Sequence, residues 1–470
     1  MKKNIFMKTR DIAKAVVPFL LLVISPLFIS CDDELDIIPK GKSTLETVSD
    51  LEALLNQEWH LSDVTDLLVI CNEALGYMIS VPGTMEQKNS LEYAYLTFDE
   101  SIDREALSTS DARYNTIYRF INYMNVLISK MPDADGNSKL KSQYIAEARM
   151  MRAYFHWLLV NIYAKQYDEA TAANEGGVPY VDNTNVGEEK TKLSVAEVYE
   201  RILEDCSDEV INQLPKNNPN VERGDQAWGN AVRAKVLMQM KRYKEALPYA
   251  QASLNLNNRI DDRSSCIENF DWVLSQDSEC NLIYLGTGMR VSPTLEALSL
   301  ETAALFEDGD YVNTYTMNWS PMYGSMFCSF PCPLYFSFST AGNVYGLTSD
   351  RMYYTTAECL IRTGQIMEGL KMVDRIRAYR VENYVPFAQG NPSEQEAMAM
   401  LQKAKWIECI GTFENFFDCK RWNTEANYKR TITRNLNEYG KYTISPKSPL
   451  WVIPFPSNAT RFNASLTQNY

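Results

Sequence analysis

Apolar side chains recur three and four residues apart through long stretches of this chain. In residues 141–164, KSQYIAEARMMRAYFHWLLVNIYA, they fall at Tyr144, Ile145, Ala148, Met151, Phe155, Leu158, Leu159 and Ile162, one face of a helix. Residues 43–59, STLETVSDLEALLNQEW, carry two possible capping boxes, Ser43 with Glu46 and Ser49 with Glu52, and predict a helix starting near Ser49. The period fades from Arg259 to Asp350, where Gly, Pro, Ser and aromatic residues accumulate. There only PTLEALSLETAALFE keeps helical spacing, and ECNLIYLGTG has the short apolar run of a strand. NEGGVPYVDNTNVGEE (174–189) reads as turns, and SPLWVIPFPSNATRF near the C-terminus as an extended segment punctuated by proline.

The helical stretches repeat one design. AVRAKVLMQMKRYKEALPYAQASL sets Ala234, Leu237, Tyr243 and Ala246 at the small, large, aromatic and small positions of a tetratricopeptide unit. TAECLIRTGQIMEGLKMVDRIRAYR does the same with Ala357, Leu360, a turn at Gly364, Ile366 and Gly369. Small residues let two helices approach closely, and large ones fill the groove of the next repeat. ARYNTIYRFINYMNVLI (112–128) and the 141–164 helix form a more degenerate pair. The expected fold is mostly α: a tetratricopeptide-like helical repeat superhelix with an irregular loop-rich lobe and few short strands. A plain helical bundle is the alternative. The repeats are expected mainly over 43–258 and 351–430, the lobe over about 259–350, and an extended tail over 431–470.

The N-terminus is of a different kind. Lys2, Lys3, Lys8, Arg10 and Lys14 precede an apolar run from Ala15 to Ile29, which is short for a bilayer span and is interrupted by Pro18 and Pro26. This is the pattern of a secretory signal peptide over residues 1–30. Leu27, Phe28, Ile29 and Ser30 lead into Cys31 as in a bacterial lipoprotein signal, with Phe28 where Leu or Val is usual. In such a signal the Cys31 thiol takes diacylglycerol and becomes the N-terminus, and two or three acyl chains hold a protein firmly on a membrane. An ordinary cleaved signal with an incidental cysteine is the alternative.

Without those 30 residues the chain carries 41 Lys plus Arg against 59 Asp plus Glu, a net charge of −18. That balance argues against nucleic acid or anionic lipid as the main partner. Nine further cysteines are scattered, with Cys328 and Cys332 the one close pair. The only histidines are His60 and His156, so neither a metal nor another cofactor is expected, and buried thiols are. No Gly-x-Ser-x-Gly elbow occurs, and YLGTGMR lacks the spacing and lysine of a phosphate loop. His156 sits mid-helix and is expected to be structural. Paired carboxylates for a surface glycosidase prove nothing among so many acids, so no catalytic residue is assigned and an enzyme is the least favoured reading.

Taken in order, these segments resemble the SusD/RagB family of surface lipoproteins from Bacteroidetes. The similarity begins at CDDELDIIPKGKSTLETVSDLEALLNQEW, continues through AEARMMRAYFHWLLVNIYA and KRYKEALPYA, and resumes at YYTTAECLIRTGQ and RIRAYR. WIECIGTFENFFDCKRWN is similar to the family's acidic and aromatic helix through Glu408, Glu414, Phe417, Asp418, Arg421 and Trp422, with Asn415 and Phe416 where Gly and Arg are common. LWVIPFPSNATRFNASLTQNY resembles its closing segment. The resemblance implies a protein anchored to the outer membrane by Cys31, with Asp32, Asp33 and Glu34 directing it to the outer face. It further implies a lid on a SusC-like TonB-dependent transporter that captures an oligosaccharide and performs no chemistry. RagB-like members take peptides instead, which is the second reading.

A sugar ring presents an apolar face to flat aromatic side chains and a hydroxyl rim to polar ones. Trp228, Trp406 and Trp422 have helical or structural settings and are expected in the core. The candidate ligand-binding residues are therefore Trp59 and Tyr77 of the early loop, Trp272, and Tyr311, Tyr315, Trp319 and Tyr323 in DYVNTYTMNWSPMYGS.

Overall fold

The computed structural model describes residues 45–470 apart from 62–63, 78–80, 186, 265–275, 287–293, 318–328, 331, 333 and 338–341. Its frame is a series of helical hairpins. Ala112–Lys130 turns through Met131–Asp133 and packs against Ser138–Tyr163. Each is started by a side chain that satisfies free backbone N–H groups: Asp111 accepts from Arg113 and Tyr114, and Asn137 from Lys139 and Leu140. From Met150 to Tyr163 the second helix is buried on every side, so it forms the axis of the core.

The two regular repeats form the expected pairs. Gln226–Gln239 packs on Tyr243–Leu256, and Ser349–Arg362 on Ile366–Arg377. Ala234 and Ala246 are fully buried, and Leu237, Tyr243 and Ala246 share a small apolar cluster with Cys359 of the next repeat. Gly364 turns the second hairpin at φ +86°. A Cβ on Gly369 would stand 2.7 Å from the Ala357 carbonyl oxygen, so this position needs glycine for helix contact. Tyr243–Leu256 packs directly on Ser349–Arg362, so the irregular segment is inserted between successive repeats. Glu394–Glu408 and Glu414–Asn423 follow, the former capped by Ser393 and Glu396 in a reciprocal box. Trp228, Trp406 and Trp422 are in the core as expected.

Several local expectations are corrected. The first helix is only Val48–Glu52, and its box is Thr47 with Asp50. Glu52 is unavailable as a cap because its carboxylate accepts from the Tyr144 hydroxyl at 2.6 Å. The stretch expected to keep helical spacing instead forms strand Thr294–Leu298 followed by one helical turn, Leu300–Ala303. The expected strand in ECNLIYLGTG is an extended clasp. The Leu282 and Tyr284 N–H groups donate to the Leu347 and Val221 carbonyls, and of its described residues only Asn281 makes a β-bridge. Asn343 organises that clasp from within, bonding Leu285 N–H, Gly346 N–H and the Ile283 carbonyl. Two short hairpins were not anticipated: Gly176–Pro179 with Lys192–Ser194, and Ile432–Asn435 with Lys441–Ile444. No described helix is long and apolar enough to cross a membrane.

Candidate ligand-binding lobe

The inserted lobe is built on a three-stranded antiparallel sheet of Ala74–Tyr77, Thr294–Leu298 and Leu334–Ser337, with Thr294–Leu298 in the centre. Its register joins the distant segments: Tyr77 pairs with Glu296, and Glu296 pairs with Tyr335. Helix Tyr311–Met317 packs on the third strand and carries Tyr311 and Tyr315. Three of the seven aromatic candidates, Tyr77, Tyr311 and Tyr315, thus belong to one sheet-and-helix unit. Trp272, Trp319 and Tyr323 lie outside the described residues, as does Cys31.

Trp59 is not available as a binding surface, which corrects its assignment. It is 2 % exposed, its indole N–H donates to the Glu222 carbonyl at 2.8 Å, and its ring meets Phe120 edge-on at 5.0 Å. The ring and its polar handle are both satisfied by the core.

The lobe helix is tied to the repeats at its foot. Glu307 accepts two hydrogen bonds from Arg377, at 2.9 and 2.6 Å. Tyr311 N–H donates to the Arg380 carbonyl at 3.0 Å, and the Asp310 carboxylate accepts from Asn313 N–H at 2.9 Å. Burial pushes Asp310 up to about 6, although Arg263 and Arg380 pull the other way. Glu408, bonded to Arg263 at 2.8 Å and to Arg380 at 2.8 and 3.0 Å, behaves oppositely. Burial alone would raise its carboxyl, but the two guanidiniums hold it at about 2. This charged floor is a fixed base under the lobe.

The acidic helix of the resemblance is likewise structural. Glu414 bonds Arg351 at 2.9 Å and also Lys235, while Arg421 bridges Glu358 and Asp418. The Trp422 indole N–H donates to Glu358 at 2.9 Å. His156 is satisfied on both ring nitrogens. Nε2 accepts from Val181 N–H at 3.0 Å, which leaves the proton on Nδ1 to donate to the Arg152 carbonyl at 2.9 Å. Its ring stacks on Tyr180 at 3.8 Å, and burial lowers its pKa to about 3. One described group brings metal-ligating atoms together, Asp261, Cys280 and Asp350, within 4.8 Å of one another. Asp261 already accepts from Ser278, and Asp350 is paired with Arg380 at 3.0 Å.

One concavity in the repeats was not anticipated from the sequence. A groove of about 590 Å³ runs between helices Tyr243–Leu256, Ser349–Arg362 and Ile366–Arg377. Gln251, Asn255 and Gln365 stand on its walls, and Tyr353, Thr356 and Leu360 form its floor. The four-residue spacing of Gln251 and Asn255 was visible, but it is also the spacing of any solvated helix face.

Residues 35–223 match the model of a SusD-like family described as starch-binding and associating with the outer membrane. No curated protein sequence matches the chain. Among solved structures, a SusD superfamily protein from Bacteroides thetaiotaomicron is similar at TM-score 0.70 and 18% identity, over 90% of this chain and 100% of that one. A SusD-like carbohydrate binding protein from Bacteroides vulgatus is similar at TM-score 0.68 and 15% identity, over 90% and 97%. Surface glycan-binding protein A from Bacteroides uniformis follows at TM-score 0.66 and 14% identity, over 90% and 99%. A SusD-like family model thus matches the N-terminal part of the chain, and the fold of SusD superfamily structures extends over nine-tenths of its length.

Proposed function

We propose that this protein is a lipid-anchored binder of oligosaccharides on the outer face of the outer membrane, passing its ligand to a SusC-like TonB-dependent transporter. Lipid on Cys31 is the anchor, and Asp32, Asp33 and Glu34 are the signal for the outer face. Sugar rings stack on aromatics of the lobe, drawn from Tyr77, Trp272, Tyr311, Tyr315, Trp319 and Tyr323. Nothing in this role calls for catalysis or a cofactor.

The observation that supports this reading best is the sheet that joins Tyr77 to the segment carrying Tyr311 and Tyr315. A shared sheet gives residues more than 200 positions apart one rigid support, which a shallow preformed sugar site requires. Each stacked ring adds about 0.5–1.5 kcal/mol beyond its buried area. A few such rings, net of ordering costs, give roughly micromolar to millimolar affinity, suited to a protein that must release its ligand. The test is to screen the chain from residue 32 onward against a glycan array and a peptide pool. Binding to a family of oligosaccharides supports the proposal; binding confined to peptides moves the protein to the RagB-like reading and overturns it.

A further inference from the structure

The groove between the two regular repeats is a separate site, since no residue of the lobe lines it. Its floor is fixed. The Tyr353 hydroxyl donates to the Asn258 carbonyl at 3.1 Å, and the Thr356 hydroxyl to the Met352 carbonyl at 2.9 Å. Leu254, Leu360 and Met372 add apolar surface. One wall is neutral: residues 247–258 hold no charged side chain, in a chain where 23% of residues are charged. Gln251 and Asn255 stand exposed on this wall, one helical turn apart. The other wall, helix Ile366–Arg377, carries an acid and a base, Glu368 and Arg375, on one face two turns apart. Among the described residues, nothing bonds the Gln251, Asn255 or Gln365 side-chain amides, and no carboxylate pairs with Arg375. In a chain of net charge −14, that leaves a guanidinium open to an outside anion. Arg375 lies instead over the Tyr353 ring, 5.1 Å from its centre.

We propose that this groove binds a free, extended oligopeptide of about three residues, its ammonium at Glu368 and its carboxylate at Arg375. The spacings fit. Four residues separate Gln251 from Asn255, about 6 Å along a helix, and two residues of extended peptide span roughly 6.6–6.8 Å. Each carboxamide both donates and accepts, so it matches the N–H and C=O of a peptide main chain. Seven residues separate Glu368 from Arg375, about 10.5 Å of rise, and three extended residues span about 10 Å. Glu368 accepts from Lys371 at 2.7 Å, an exposed pair that contributes little and yields to a ligand's ammonium. Arg375 offers the forked donor that a terminal carboxylate accepts from. An oligosaccharide fits less well, because it has no ionic ends for this acid and base. The Tyr353 ring, 1 % exposed and beneath Arg375, gives a sugar face no platform.

The proposal does not rest on the sugar reading, because the lobe takes no part in it. The chain from residue 32 is titrated calorimetrically with the tripeptide alanyl-leucyl-alanine, once with free ends and once N-acetylated and amidated. Methyl NMR of labelled methionine follows Met372, whose signal is identified with Met372→Leu. One saturable site for the free-ended peptide and a shift of the Met372 signal are expected. Binding about tenfold weaker or more is expected for Arg375→Gln, for Gln251→Ala combined with Asn255→Ala, and for the capped peptide. The substituted side chains are exposed, so the variants should melt with the wild type, which checks that they fold. No binding of free-ended peptide at millimolar concentration overturns the proposal. So does wild-type affinity in either variant, or equal affinity for the capped peptide. A Met372 shift with maltoheptaose and none with the tripeptide makes the groove a sugar site and overturns it as well. Failure on the glycan array with tripeptide binding intact counts against the lobe reading alone.

Discussion

Trp59 and His156 show how a residue's role is set by partners far away in sequence. Trp59 follows a helix and precedes irregular chain, the setting expected of an exposed ring, yet its indole N–H is held by Glu222, 163 positions on. No local pattern carries that information. Trp59→Ala removes a large ring from the core and is expected to cost about 3–5 kcal/mol, read by denaturant unfolding, with ligand binding per folded molecule unchanged. His156, by contrast, was legible, because a lone histidine on the buried side of a long helix has few other fates. Its pKa in the folded chain is about 3, against 6.5 for the ordinary side chain. Between those values the unfolded chain binds the extra proton, so the stability is complete above about pH 6.5 and is lost as pH falls toward 3. Melting temperatures measured from pH 7.5 to 4 should therefore fall less steeply for His156→Gln than for the wild type, each relative to its own value at pH 7.5. Parallel slopes would mean that His156 stays protonated in the fold.

At the level of elements, the repeats were readable because their contacts are local. Small and large residues alternate at fixed spacing within about thirty positions, and the turn and its partner helices follow from them. The strand Thr294–Leu298 was not readable, since Leu, Glu and Ala favour a helix. Here tertiary pairing with Ala74–Tyr77 and Leu334–Ser337 overrides propensity. The same reasoning applies to the first helix, where Glu52 serves Tyr144 and leaves the cap to Thr47 and Asp50. Close helix contact is testable in both repeats. Gly369→Ala drives a methyl group against the Ala357 carbonyl, and Ala234→Trp overpacks the preceding hairpin. Each is expected to lower stability by about 1–3 kcal/mol in a thermal or denaturant melt. An unchanged melt for either would show that its helices can move apart freely.

At the scale of the described residues from Leu45 on, the chain is a repeat frame with a lobe inserted between successive repeats and tied to it at its base around Glu307, Arg377, Arg380 and Glu408. An insertion leaves the flanking repeats free to pack on each other, which is why the repeats on either side of the lobe keep their local pattern in the sequence. The binding residues were less legible: turn-rich sequence concentrates aromatics without saying which face water and which face the frame. Anchoring belongs to this scale as well. Cys31→Ala is expected to move the protein from the membrane fraction to the soluble one, and unchanged membrane association would remove the lipid from the account. The central claim is that the lobe binds sugar through its aromatics, and calorimetric titration of an array-selected oligosaccharide into wild type and Trp319→Ala tests it most directly. The account predicts a Kd about tenfold weaker or more, a loss of roughly 1.4 kcal/mol, with the melting temperature nearly unchanged. A large fall in melting temperature with the Kd per folded molecule intact would contradict it.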